Sequence, residues 1–124
     1  MANNDQFPEL FERLKSIMQA RAGHLPSSDA QPGKFCVQGP YFQQYQKSID
    51  FGMVEVRKSY VSYHLMPVYM YPDLLDGISE GLKKRMQGKS CFNFRTVDEE
   101  LLRELDELTG RCAARFRPVG GEQQ

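Results

Sequence analysis

The stretch "DFGMVEVRKSYVSYHLM", residues 50–66, decides the fold. Two runs rich in valine, tyrosine and other β-formers flank Lys58-Ser59, the pattern of a β-hairpin. With a loop of two or four residues, Val56 faces Val61, Val54 faces Tyr63 and Gly52 faces Leu65. All six then lie on one side of the sheet. The other side pairs Arg57 with Tyr60, Glu55 with Ser62, Met53 with His64, and Phe51 with Met66. A slip of one residue would exchange the two faces, so this partition into an apolar side and a mixed side fixes the register.

Outward from the hairpin, the chain before it begins with a helical pattern. Leu10, Leu14, Ile17 and Met18 recur at three- and four-residue spacing and Phe11 widens the stripe, which predicts a helix over residues 7–22. Pro8 suits its first turn and Gly23 its end. Residues 24–33, "HLPSSDAQPG", read as a loop. "KFCVQGPYF" reads as a short strand broken at Gly39-Pro40, and residues 43–50 as a polar crossing.

After the hairpin, Pro67 and Pro72 bracket a short extended piece, and one helical turn runs from Asp73 to Asp76. Ser79 is a natural N-cap for a second short helix that Gly88 ends. "SCFNF" is a strand with Cys91 and Asn93 on one side and Phe92 and Phe94 on the other. Thr96 and Glu99 have the spacing of a capping box. The helix behind them carries Leu101, Leu105, Leu108 and Cys112 in one stripe, widened by Leu102. Cys91 and Cys112 read as core thiols. The expected architecture is therefore α+β, a small antiparallel sheet with packed helices in the order α-β-β-β-α-α-β-α. The 124 residues form a single domain, with residues 1–6 and 117–124 as disordered ends.

Composition narrows the function. Sixteen basic residues balance sixteen acidic ones, whereas a dedicated nucleic-acid binder usually carries a strong basic excess. No segment resembles a signal peptide or a membrane span, and three cysteines without regular spacing make no disulfide framework. These features point to the cytoplasm, with neither nucleic acid nor membrane as partner.

Several short motifs dissolve on inspection. Gly88-Lys89-Ser90 ends like a phosphate-binding loop, but the position five residues before Gly88 is Lys83 rather than glycine, and the order is helix, glycine, strand. Lys83, Lys84 and Arg85, near Lys89 and Arg95, suit a helix C-terminus or a solvated face. His64 lies within a strand and could act as an acid or base. In the hairpin register Glu55 is its diagonal neighbour, about 5–8 Å away between β-carbons. No spacing suggests a metal site, no pattern calls for a cofactor, and no hydroxyl or thiol has a recognisable activating partner.

"YVSYHLMPVYMYPDLL" (60–75), "ISEGLKKRMQGKSCFNF" (78–94) and "DEELLRELDELT" (98–109) resemble the YdhG-like family of bacterial domains of unknown function. "DAQPG" (29–33) fits the same layout, and the resemblance covers about residues 29–112. It implies a small antiparallel sheet with helices and brings no catalytic residues with it. Some YdhG-like proteins have been linked to frataxin-like iron carriers, which use an acidic ridge. The candidates here are the acids from Asp98 to Glu107, interleaved with Arg103 and followed by Arg111.

The reading that results is a non-enzymatic binding or protein-interaction module. Its surface is the second sheet face, with Phe51, Met53, Tyr60, Ser62, His64 and Met66, and with Arg85 and Lys89 at the rim. The partner would be a small molecule, a protein or a second copy of the chain. The alternatives are a small enzyme using His64 as general acid or base, and an iron carrier.

Overall fold

The computed structural model describes residues 6–43 and 45–116. The expected disordered ends, Gln6 aside, lie outside the described residues. The fold is α+β. Helix α1 (Phe7–Ala22) leads into strands β1 (Ser27–Gln31), β2 (Lys34–Val37), β3 (Tyr41–Phe42), β4 (Lys47–Ser48), β5 (Gly52–Val56) and β6 (Val61–Leu65). Helix α2 (Met66–Met70), a 3-10 turn (Pro72–Leu75), helix α3 (Glu80–Lys83), strands β7 (Met86–Gln87) and β8 (Cys91–Phe94), and helix α4 (Glu99–Arg115) follow. Six strands form one antiparallel sheet in the order β1-β2-β5-β6-β8-β7, and β3 pairs with β4 in a small separate ribbon.

The β5–β6 hairpin has the register read from the sequence, with Val54 opposite Tyr63 and Met53 opposite His64. The backbone N–H of Arg57 donates to Tyr60 O at 2.8 Å, which leaves Lys58 and Ser59 as the tip. Phe35, Val54, Tyr63 and Phe92 form a row across four neighbouring strands on the core side. All four are buried, together with Leu10, Leu14 and Met18 of α1 and Leu102, Leu105 and Leu108 of α4. Both long helices therefore cover one face of the sheet.

Two details set how closely they sit. Gly52 lies under α1, where an added Cβ would come within 2.7 Å of the Met18 Cε and 2.5 Å of the His64 carbonyl oxygen. Only a residue without a side chain admits this approach. On the α4 side, the Tyr63 phenol lies 2.8 Å from Thr109 Oγ1, whose hydroxyl is also within 2.8 Å of Leu105 O. Both polar groups are fully buried and satisfied, as buried polar atoms must be. Burial pushes the phenol's pKa well up, more than the Thr109 bond lowers it.

Several local expectations are corrected. Residues 24–33 are not wholly loop, because Ser27–Gln31 forms β1. Pro32 and Gly33, with φ +74° at Gly33, supply the turn into β2. The strand was hidden by its polar composition, which an edge strand tolerates because solvent reaches it. The expected single strand around Gly39-Pro40 is two strands, β2 and β3, and the expected crossing over residues 43–50 contains β4. The piece after Met66 is helical rather than extended, with Pro67 pre-set for the first turn.

Ser79 does cap α3, its hydroxyl accepting from Leu82 N at 3.1 Å, but α3 ends at Lys83. Gly88, with φ +79°, makes the β7–β8 turn instead of ending that helix. Asp98, not Thr96, caps α4, its carboxylate accepting from Leu101 N at 3.3 Å. Leu101 is only half-buried, and Thr109 takes a core position that the leucine stripe did not reveal.

Leu105→Ala is expected to lower the free energy of unfolding by about 2–5 kcal/mol, through lost burial and the cavity left behind. Leu101→Ala should cost less than half as much. Denaturant titration of both variants checks this, and a loss below about 0.5 kcal/mol at Leu105 would place α4 outside the core.

Candidate functional site

With the helices on one side, strand alternation presents the other set of side chains away from them. The register builds a transverse row: Ser28 opposite Cys36, Cys36 opposite Met53, Met53 opposite His64, His64 opposite Cys91, and Cys91 opposite Gln87. The four central members are half-buried. Lys34, Glu55, Ser62 and Asn93 form a second row beside it.

His64 is the centre of this face. Its Nδ1 lies 3.2 Å from Cys91 Sγ and 3.2 Å from Ser90 Oγ. Glu55, the expected neighbour, gives its carboxylate to Arg57 Nη1 at 3.3 Å instead. Without a carboxylate to favour the imidazolium, burial holds the His64 pKa below the ordinary histidine value. Burial also raises the Cys91 thiol, and the hydroxyls of Ser62 and Ser90 offset this only in part. Both shifts favour the uncharged forms near neutral pH, so the contact is between an imidazole and a thiol rather than an ion pair.

Of the expected surface residues, Met53, Ser62 and His64 meet on this open face. Tyr60 sits beside the hairpin tip and Met66 opens α2, both half-buried. Arg85 lies half-buried between α3 and β7, while Lys89 is exposed in the β7–β8 turn. Phe51 is a correction. It is fully buried and meets the Phe116 ring edge-on at 5.3 Å between centroids. It precedes the first residue of β5, so strand alternation does not govern it.

Cys91 is a second correction, since it lies half-buried on the open face rather than in the core. Cys112 is in the core, its thiol pushed up to about 12 by burial. The sequence alone does not single out Cys36, Ser90 or Cys91 as site residues. The alternation of "SCFNF" already put Cys91 opposite the phenylalanines, but placing it beside His64 requires the pairing of β8 with β6.

Concavities lie on this face, where Ser28, Gln31, Lys34 and Cys36 line one of about 210 Å³, and elsewhere. Phe7, Phe11, Pro32 and Val56 contribute to an apolar groove of about 850 Å³ at the start of α1. Tyr60, Arg85 and Asn93 contribute to a pocket of about 180 Å³ beside β7. His64 lines none of these. Among the described residues, no three or more His, Cys, Asp or Glu side chains group so as to hold a metal ion. No helix among them is long and apolar enough to cross a membrane.

No family model, curated protein or solved structure matches the chain.

The lowered His64 pKa has a definite sign in the pH dependence of stability. The unfolded chain takes up a proton near pH 6.5, before the folded protein does. The stability due to neutral His64 is complete above that pH and is lost as pH falls through the folded-state pKa. The free energy of unfolding of the native protein minus that of His64→Gln should therefore fall on going from pH 7 to pH 5. Urea titrations across that range measure the difference, and a rise would mean that the folded protein favours imidazolium.

Proposed function

We propose that the chain is a non-enzymatic interaction module of the YdhG-like kind, acting in the cytoplasm and docking a protein through its open sheet face. A second copy of the chain is the simplest such partner. The observation that carries the reading is the row Cys36, Met53, His64 and Cys91. These four half-buried, weakly polar side chains adjoin one another on the face opposite the two long helices. Apolar and sulfur-bearing surface of this kind gains most by being covered. Small-molecule sites are usually concave, and His64 lies outside the concavity that Cys36 lines on this face, which favours a protein partner around His64.

Met53→Lys and His64→Ala are expected to abolish assembly without moving the unfolding midpoint by more than a few degrees. The measurement is solution mass by sedimentation, together with co-purification from expressing cells. Native protein that is monomeric and partnerless, or assembly that survives both substitutions, would reject the reading.

The 3.2 Å contact between His64 Nδ1 and Cys91 Sγ favours a second reading, an enzyme with His64 as acid or base. The burial-driven shifts count against it, because nucleophilic cysteine needs a thiolate. In a Cys36→Ser background, Cys91 should react with iodoacetamide more slowly at pH 7 than a free peptide thiol, and faster as pH rises past about 8.5. A fast rate that does not change between pH 5 and pH 8 would indicate a thiolate–imidazolium pair and favour the enzyme. Iron carriage has less support. Glu99 pairs with Arg13, Asp106 pairs with Arg21, and Glu104 accepts from Ser79.

A further inference from the structure

The interaction reading gives no role to the pocket beside β7. Its polar lining is Tyr60, Lys84, Arg85, Gln87, Asn93 and Arg95, with Met86 as its apolar part. Three of these side chains are cations and none is a carboxylate. The chain as a whole is neutral, so three cations around one pocket is a local concentration rather than general basicity.

Two neighbouring cations are neutralised. Arg57 is paired with Glu55 at 3.3 Å, and Lys83 with Glu80 at 3.8 Å. Among the described residues, Lys84, Arg85 and Arg95 enter no ion pair. Arg95 is oriented without being neutralised, because its Nε donates to the Ser59 carbonyl at 3.3 Å. Its two terminal nitrogens are left for a ligand.

The walls are held by main-chain bonds. Asn93 N donates to Arg85 O at 2.7 Å, and Gln87 pairs with Cys91 across the β7–β8 hairpin. Tyr60, Arg85 and Asn93 are half-buried, while Lys84 and Arg95 are exposed, so water and salt screen the Arg85 charge less than those of the other two cations. The Tyr60 hydroxyl and the Asn93 and Gln87 amides add neutral hydrogen-bonding groups, though the amides also make a long 3.5 Å contact with each other. The volume of about 180 Å³ falls below the roughly 300–1,000 Å³ of sites for drug-sized ligands. It suits a compact anionic group. Guanidinium groups match the oxygens of a phosphoryl group with paired donors.

We propose that this pocket binds a phosphoryl dianion, as inorganic phosphate or as the terminal group of a phosphate monoester. The proposal does not depend on the open-face reading. The residues that test it are separate from Met53 and His64, so either can fail alone.

The experiment is a nitrogen-15 NMR titration of the full chain at constant ionic strength. Inorganic phosphate and phosphoserine are separate arms. Saturable shifts are expected at the amides of Arg85, Gln87, Asn93 and Arg95, with a dissociation constant on the order of 1 mM. Arg85→Gln and Arg95→Gln should each weaken binding about tenfold, while Arg103→Gln on α4 leaves it unchanged. Tighter binding of phosphoserine would identify the monoester as the ligand, and equal or tighter binding of phosphate would identify the free ion. Unsaturated drift in both arms would overturn the proposal. So would equal losses in all three variants, or tighter binding of an oligothymidylate than of either probe.

Discussion

The register of the β5–β6 hairpin is the constraint on which the rest depends. Val54 opposite Tyr63 places both in the core, and their neighbours Phe35 and Phe92 extend that row across four strands. The alternation of a strand leaves no choice for the residues between. Met53 opposite His64 must then face the other way, and Cys36 and Cys91 extend that second row. A shift of one residue would bury His64 under α1 and turn Tyr63 to solvent. The hydrogen bond from Tyr63 to Thr109 would be lost, and with it the polar contact that ties α4 to the centre of the sheet.

The charges are divided between two tasks. Bidentate contacts from Arg13 to Glu99 and from Arg21 to Asp106 link α1 to α4, and Arg115 to Asp73 links α4 to the 3-10 turn. Exposed pairs of this sort contribute little to stability, because solvent screens them. Two of the five acids of α4, Glu99 and Asp106, are taken up in this way. Lys84, Arg85 and Arg95 line the pocket beside β7 without a carboxylate among its lining residues, and that local charge is the basis of the anion proposal.

The His64–Cys91 contact shows why a suggestive distance does not define a catalytic pair. Opposite charges would have to offset the burial of each group, and no nearby carboxylate or extra cation does so. Glu55 is held by Arg57, and the other contacts to His64 Nδ1 and Cys91 Sγ are neutral hydroxyls. A polar but uncharged centre on an otherwise sulfur-rich face is compatible with being covered by another surface. An imidazolium or thiolate there would resist such burial.

Local pattern was enough for α1, the β5–β6 hairpin, the Ser79 cap and the alternation within "SCFNF". Each depends on neighbours within a few residues, or on a two-strand pairing fixed by apolar sidedness. That much placed Met53, Ser62 and His64 on one face. It failed where the deciding partner is remote or where solvent exposure hides the signal. β1 is too polar to read as a strand, because it is an edge. Phe51 is drawn inward by Phe116, a residue far away in the chain, just where strand alternation stops. Cys36 and Cys91 reach the His64 row only when β2 joins β5 and β8 joins β6. The three cations around the small pocket come from the segment after α3 and from beyond β8, and Tyr60 joins them from beside the hairpin tip. Periodicity in the sequence specifies which side of its own element a residue faces. Which elements then lie side by side is decided by burying all the apolar sides in one core, and the functional rows are a consequence of that packing.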